Sequence, residues 1–170
     1  EKIEEAINYM YILGYIIETL SLFPALDPII LINENKEIMI KQTDFLNEVN
    51  NLKRMKKNCL NVDYIKIPDV YPEYTNNNNN IIVMEYIDGK KLKDLKDEEK
   101  DDYALLLAKM GIKSFLFNGF YHSDLHTGNI LFLDKQLGIL DFGIMGELTK
   151  HEQTIFYEFT EILKIWLFEY

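Results

Sequence analysis

The stretch from His122 to Gly143 constrains this chain more than any other. It reads His-Ser-Asp-Leu-His-Thr-Gly-Asn, then two short apolar runs, then Asp-Phe-Gly. A carboxylate (Asp124), a side-chain amide (Asn129) and a second carboxylate (Asp141) are thereby set around one apolar hairpin. Such a set suits phosphoryl transfer. One acidic group orients or deprotonates the attacking oxygen, while an amide and another carboxylate hold the metal that neutralises the phosphates. Mg²⁺ demands oxygen ligands, which an amide carbonyl and a carboxylate supply. A lone loop Asp or a lone Asp-Phe-Gly is ordinary turn chemistry. The ordered combination carries the inference. Asp124 is accordingly a candidate catalytic residue, and Asn129 and Asp141 are candidate metal and nucleotide ligands.

Composition bounds the rest. The chain has 170 residues, 48% of them hydrophobic, enough for one domain, or most of one, with a sizeable core. Its formal charge of −10 opposes a nucleic-acid role, which needs a basic face. Cys59 is the only cysteine, so no internal disulfide can form. The apolar run from Ala6 to Phe23 is broken by Asn8, Glu18, Thr19 and Ser21 and makes a poor membrane span. The charge run Asp94 to Asp102 reads as a solvated helix start, and Asn76 to Asn80 as a polar loop tip.

Periodicity predicts an amphipathic helix over residues 1–20, with Ile3, Ala6, Ile7, Met10, Leu13, Ile17 and Leu20 at helical spacing. Further helices are expected from about Pro28 to Ile40, Thr43 to Lys57, Lys100 to Phe117 and Lys150 to the end. The fourth is apolar on most faces and is expected to be largely buried, with Asn118-Gly119 ending it. Ile65 to Tyr71 and Ile81 to Ile87 predict a hairpin joined by the Asn loop, its first strand irregular at Pro68. Ile130 to Leu133 and Leu137 to Leu140 predict a second hairpin. The order is that of an α+β protein-kinase-like fold entered partway through its small lobe. Residues 1–87 would be the remainder of the small lobe with a helical extension and hinge, and 88–170 the start of a mainly helical large lobe.

Within that frame Val83-Met84-Glu85-Tyr86-Ile87-Asp88-Gly89 reads as the hinge between lobes. Met84 would sit at the back of a nucleotide pocket. Backbone groups of Glu85 and Ile87 would meet the adenine edge, which needs one acceptor and one donor. Taken alone, the same run is a buried strand with its terminator. On a helical step of about 100°, Glu48 falls roughly 60° from Phe45, inside the sector of Val49, Leu52 and Met55. A carboxylate there is costly unless paired. Either Glu48 faces the site and pairs with a phosphate-holding Lys, or it lies at the rim with its head in water. It stands beside Asp124 as a candidate catalytic-site residue. His122 and His126 lie in a loop with no cysteine close by, which argues against zinc. His122 is expected to brace the loop.

These residues resemble the UbiB family of atypical kinases, the aarF-domain-containing (ADCK) group linked to coenzyme Q biosynthesis. Gln42-Thr43-Asp44-Phe45-x-x-Glu48-x-x-Asn51 is similar to that family's Glu-Leu-Asp-Phe helix. Ile67-Pro68-x-Val70-Tyr71-Pro72 is similar to its small-lobe strand, Val83 to Gly89 to its hinge, and Gly119 to Ile130 to its catalytic loop. Leu140-Asp141-Phe142-Gly143 follows, with Gly146 and Leu148 in register. The resemblance implies ATP and Mg²⁺ as cofactors and ATPase or small-molecule chemistry. It further implies a lipid or quinone-precursor ligand, peripheral membrane association, and an intracellular setting in bacterial cytosol, mitochondrion or plastid. Gln42 stands where the family carries Glu, and by wheel geometry either Gln42 or Glu48 faces the site. Thr127 replaces the usual Pro, and His126 stands where ordinary protein kinases carry Lys. The family's Lys-x-Gly-Gln extension, Ala-rich loop and strand Lys would lie upstream of Glu1. The chain thus reads as a partial domain, weak or inactive as an enzyme by itself.

Two features agree with chemistry on small molecules. Only residues 144–149 separate Asp-Phe-Gly from the next predicted helix, without Ala-Pro-Glu, leaving little room for a peptide-docking segment. Ser123 replaces the Arg of a His-Arg-Asp loop. Two other classes stay open. One is a phosphotransferase of the aminoglycoside or choline kinase type, whose loops tend to have His-Gly-Asp and would leave the Glu48 helix unmatched. The other is a pseudokinase acting as a binding scaffold, which absence of the upstream Lys would favour.

Overall fold

Asp44 starts the helix on which the site depends. Its extended backbone and its carboxylate, which accepts from Leu46 N at 3.1 Å, cap a helix from Phe45 to Asn58. The computed structural model describes residues 2–41, 44–75 and 81–168. In chain order the helices are α1 (Lys2–Thr19), α2 (Pro28–Lys41), α3 (Phe45–Asn58), the single turn α4 (Pro72–Thr75), α5 (Asp97–Ile112) and α6 (Lys150–Phe168). The strands are β1 (Ile65–Lys66), β2 (Phe120–His122), β3 (Ile130–Leu133), β4 (Gln136–Ile139) and β5 (Met145–Glu147).

Val49, Leu52 and Met55 form the buried stripe of α3. Leu52 and Met55 pack into one cluster with Ile65, Ile67, Tyr103, Met110, Phe120, Phe132, Leu137, Ile139 and Phe142. Burying side chains of this size contributes about 1.5–3 kcal/mol each before chain entropy is charged against it. The cluster takes no residue from α1 or α2. Those two helices pack on each other instead, where Gly14 permits close approach. A Cβ at Gly14 would stand 3.0 Å from Ile29 and 3.1 Å from Ile32.

A three-stranded sheet runs β1-β4-β3, with β1 parallel to β4 and β3 antiparallel to it. The β3–β4 turn is Asp134-Lys135, with Lys135 at φ 56°, so β4 begins at Gln136, one residue before the expected Leu137. A separate antiparallel pair joins β2 to β5.

Two expectations need correction. The expected hairpin of Ile65–Tyr71 with Ile81–Ile87 is reduced to an antiparallel bridge between Val70 and Met84. Tyr71 N donates to Val83 O at 2.8 Å and Glu85 N to Asp69 O at 2.7 Å. Pro68 has no N–H to offer a ladder, and β1 pairs with β4 instead. The Asn76–Asn80 loop lies outside the described residues. The helix expected from Lys100 to Phe117 begins earlier, at Asp97, and widens into a π-helical segment over Lys113–Asn118. It is not largely buried. Tyr103, Met110 and Ser114 face the core, whereas Leu105, Ile112 and Phe117 are exposed. Only one stripe of α5 has a neighbour, with Tyr103 stacking edge-on against Phe132 of β3. Gly119 ends the segment as expected, at φ 60°, a left-handed cap that favours glycine.

Candidate functional site

The β3–β4 hairpin brings Asn129 and Asp141 to one end. Ile130 pairs with Ile139, and Leu140 N continues the ladder to Asn129 O at 3.0 Å. Asp141 is therefore the first residue beyond the hairpin, beside Asn129. The Asn129 amide is buried. Its Nδ2–H donates to the Asp124 carbonyl at 3.1 Å, which leaves its Oδ1 without a partner among the described residues. Asp141 Oδ1 accepts from Gly143 N at 2.8 Å, a local turn bond that leaves its second oxygen open. No group of three or more His, Cys, Asp or Glu side chains able to hold a metal exists among the described residues. The oxygens present are one amide and one carboxylate, a set that needs water or a phosphate to complete an Mg²⁺ shell.

His122 ties the two loops together. The Asp124 N–H donates to its Nδ1 at 3.1 Å, so Nε2 carries the proton and donates to the Asp141 carbonyl at 2.7 Å. Burial pushes this imidazole below its ordinary pKa, against the opposing pull of the Asp141 carbonyl and nearby carboxylates. A neutral ring with both nitrogens engaged braces the loop and has no lone pair left for a metal. His126 Nδ1 accepts from Gly128 N at 3.0 Å, and its Nε2 stands 4.0 Å from the Asp124 carboxylate. The Asp124 side chain itself is exposed.

Between the two readings of Glu48, the structure directs it at Asp-Phe-Gly. Its Oε1 accepts from Phe142 N at 3.4 Å. Desolvation by burial holds its carboxyl above the usual range, the Phe142 N–H opposes this, and the neighbouring Asp141 charge adds to it. No cation pairs with Glu48 among the described residues. Gln42, the competing candidate, lies outside them.

In the segment expected to be the hinge, Met84 is half-buried at its bridge to Val70. Ile87 is buried, its methyl lying where a Cβ on Gly138 would come within 3.1 Å. The Glu85 N–H is occupied by Asp69 O. Its carboxylate takes Lys66 Nζ at 2.6 Å and Asp69 N at 3.1 Å. The Glu85 carbonyl and the Ile87 N–H have no partner among the described residues. Beyond the hinge, Lys90 and Phe132 exchange two backbone hydrogen bonds of 2.8 Å, fixing the crossing onto β3.

Sequence reasoning quoted Asn51 only as part of a motif, with no role, and missed Arg54; both are anchors on α3. Asn51 Nδ2 donates to the Phe142 carbonyl at 2.9 Å, and Arg54 grips Glu147. Their spacing from Glu48, three residues at each step, was the available signal, since i and i+3 share a helix face.

A family model described as ABC1 atypical kinase-like domain matches residues 1–165. The chain is 34% identical over 122 residues to an uncharacterized aarF domain-containing protein kinase, chloroplastic, of Arabidopsis thaliana, a match covering 69% of the chain and 16% of that protein. It is 32% identical over 155 residues to protein ACTIVITY OF BC1 COMPLEX KINASE 3, chloroplastic, of the same plant, covering 85% of the chain and 22% of that protein. The chain thus spans less than a quarter of the length of these relatives. Among solved structures it is similar to Rv3197 of Mycobacterium tuberculosis, determined in complex with erythromycin. The TM-score is 0.69 at 22% identity, over 85% of this chain and 37% of that one. That likeness is one of fold, a partial protein-kinase-like α+β fold.

Proposed function

The chain belongs to the ABC1 atypical kinase-like family, the UbiB or aarF-domain group, and from that premise we propose that it carries the central part of an ATP- and Mg²⁺-dependent phosphotransferase or ATPase site acting on a small molecule. The observation that carries the reading is the division of labour at Asn129. Its N–H₂ holds the Asp124 carbonyl, its Oδ1 has no partner among the described residues, and the Leu140–Asn129 backbone bond brings Asp141 to the same end of the hairpin. A hard cation takes that oxygen, and Asn129 with Asp141 would hold Mg²⁺. When bound, Mg²⁺ supplies charge neutralisation at the phosphates.

The chain's own residues divide the remaining work. The Glu85 carbonyl and Ile87 N–H supply the acceptor and donor for the adenine edge, and Met84 lies behind them. Asp124 orients the attacking hydroxyl or water. That oxygen bonds to the γ-phosphorus, the bond to the bridging oxygen of ADP breaks, and the hydroxyl proton passes to Asp124 or to solvent. His122 holds Asp124 and Asp141 in register through its two ring nitrogens. Glu48, half-buried with no cation paired to it among the described residues, would receive a phosphate-holding lysine. Residues 1–87 belong to the small lobe and 88–170 to the large lobe in this assignment. The acceptor class is lipid or quinone-precursor, and peripheral association with a membrane and an intracellular setting belong to the same reading. No helix among the described residues is long and apolar enough to cross a membrane.

The test is Asp141→Asn in the full-length protein. ATP with Mg²⁺ at about 100 times its Kd should stabilise the wild type by about 2.7 kcal/mol, read as a rise in melting temperature. The variant should lose the Mg²⁺-dependent part of that rise. Unchanged stabilisation in the variant overturns the metal assignment.

A further inference from the structure

A cavity of about 560 Å³ adjoins the Asp124–Asn129 loop, lined by Lys91, Leu92, Lys93, Lys100, Thr127 and Gly128. Its size falls within the roughly 300–1,000 Å³ of small-molecule sites. Thr127 and Gly128 belong to the turn between Asp124 and Asn129, so the cavity borders the loop that carries both. The three lysines are unexpected in a chain of formal charge −10, and no carboxylate lines the cavity with them. The neighbouring cations are neutralised locally. Lys90 Nζ binds Glu99 at 2.9 Å, and Lys100 Nζ binds Asp97 at 2.6 Å. Lys91 and Lys93 have no ion-pair partner among the described residues, and Asp94 in the same turn pairs with neither.

We infer that Lys91 and Lys93, with Lys100 beside them, form a subsite for the phosphate group of the acceptor, so that the acceptor is itself a phosphate-bearing molecule with a hydroxyl that reaches Asp124. The inference rests on the phosphoryl-transfer reading and adds the substrate class. Two lysines that line one cavity without an ion-pair partner among the described residues attract an anion into it. Lysine binds phosphate as a mobile point charge, which fits exposed side chains on a short 3₁₀ turn, Leu92–Asp94. The phosphate has two natural sources, a soluble phosphomonoester or the headgroup of a phospholipid.

The experiment uses the full-length protein and calorimetric titration with sn-glycerol 3-phosphate, which carries both a hydroxyl and a phosphate. Glycerol serves as the uncharged control, and vesicles of phosphatidylglycerol against phosphatidylcholine test the lipid source. ATP·Mg²⁺ binding is measured on the same samples. The wild type should bind glycerol 3-phosphate but not glycerol. Lys91→Glu with Lys93→Glu should weaken that binding at least tenfold and leave ATP·Mg²⁺ affinity unchanged. Lysine-dependent binding confined to phosphatidylglycerol vesicles supports the subsite with a lipid headgroup as its source. Binding of neither phosphate probe, or binding indifferent to the two lysines, overturns the subsite. Equal loss of ATP·Mg²⁺ binding in the variant also overturns it, since the lysines would then serve the nucleotide. A wild type that binds glycerol 3-phosphate through these lysines but binds no ATP·Mg²⁺ supports the anion site and sinks the phosphotransferase reading.

Discussion

Arg54 of α3 holds Glu147 of β5 through two hydrogen bonds, Nη2 to Oε1 at 2.5 Å and Nη1 to Oε2 at 3.0 Å. Its guanidinium also lies over the Phe120 ring of β2, 4.0 Å from the centroid. With Glu48 on the Phe142 N–H and Asn51 on the Phe142 carbonyl, three residues at helical spacing bind α3 to the segment Phe142–Glu147. The position of α3, and with it the direction of Glu48, is therefore set by backbone and side-chain bonds to the stretch that carries Asp141.

Lysine cannot replace Arg54, because it offers neither the planar fork nor the stacking face. Both partners are largely exposed, so the ion pair is worth about 0.2–1 kcal/mol, with roughly 0.5–1 kcal/mol more from the ring contact. Arg54→Lys should therefore lower unfolding free energy by about 1 kcal/mol, measured by urea denaturation. The Arg54 hydrogen bond holds the Glu147 carboxyl below its usual range. Its contribution is present above the unfolded carboxylate pKa and is lost as pH falls through the lower folded pKa. A double-mutant cycle with Glu147→Gln that shows no coupling at neutral pH and low salt would rule out the clamp.

Glu48 has the opposite sign. Burial raises its folded pKa above the unfolded value. Between the two values the folded state holds more protons than the unfolded, so stability falls as pH rises through that window. Glu48→Gln removes the penalty and keeps an oxygen for the Phe142 N–H. The variant should be more stable than wild type at pH 7, with the difference closing below the ordinary glutamate range. In the full-length protein the same change should lower any ATP turnover tenfold or more, if the residue holds a phosphate-binding lysine. A stability difference that does not vary with pH would mean the carboxylate carries no penalty.

The conformation of the Gly119–Ile130 loop and the β3–β4 hairpin were legible because both depend on local chemistry. Gly119 takes a left-handed cap, and alternating apolar residues bury Ile130 and Phe132. Residues 81–87 were expected to form a strand, but only a bridge between Val70 and Met84 forms there. Their pairing depends on which neighbour competes for the edge, and Pro68 leaves β1 to β4 rather than to residues 81–87. The burial of α5 was misjudged because a helix apolar all round shows no preferred face, and only contact with Phe132 and the core decides which stripe is covered. The helical spacing Glu48, Asn51, Arg54 placed all three on one face of α3, but their partners Phe142 and Glu147 lie far away in sequence, as does the loop that completes the lysine-lined cavity, and periodicity does not report such partners.

Asp124 offers the cleanest separation of binding from chemistry. Its backbone has the structural duties, donating to His122 Nδ1 and accepting from Asn129 Nδ2. Its carboxylate makes no hydrogen bond among the described residues and stands 4.0 Å from His126 Nε2. Asp124→Asn therefore leaves the loop's internal bonds in place while removing the proton acceptor. An orienting or basic group acts mainly in the transition state, so its loss appears in kcat rather than in ground-state affinity. In the full-length protein, ATP·Mg²⁺ affinity should stay within about twofold of wild type while turnover falls by about 10²–10⁴-fold, the range of general acid–base contributions. Calorimetry and a coupled ADP-release assay on the same preparation check the two numbers. A parallel fall in both would make Asp124 a loop-former, and His126 would then be the next side chain to test as the group that meets the attacking oxygen.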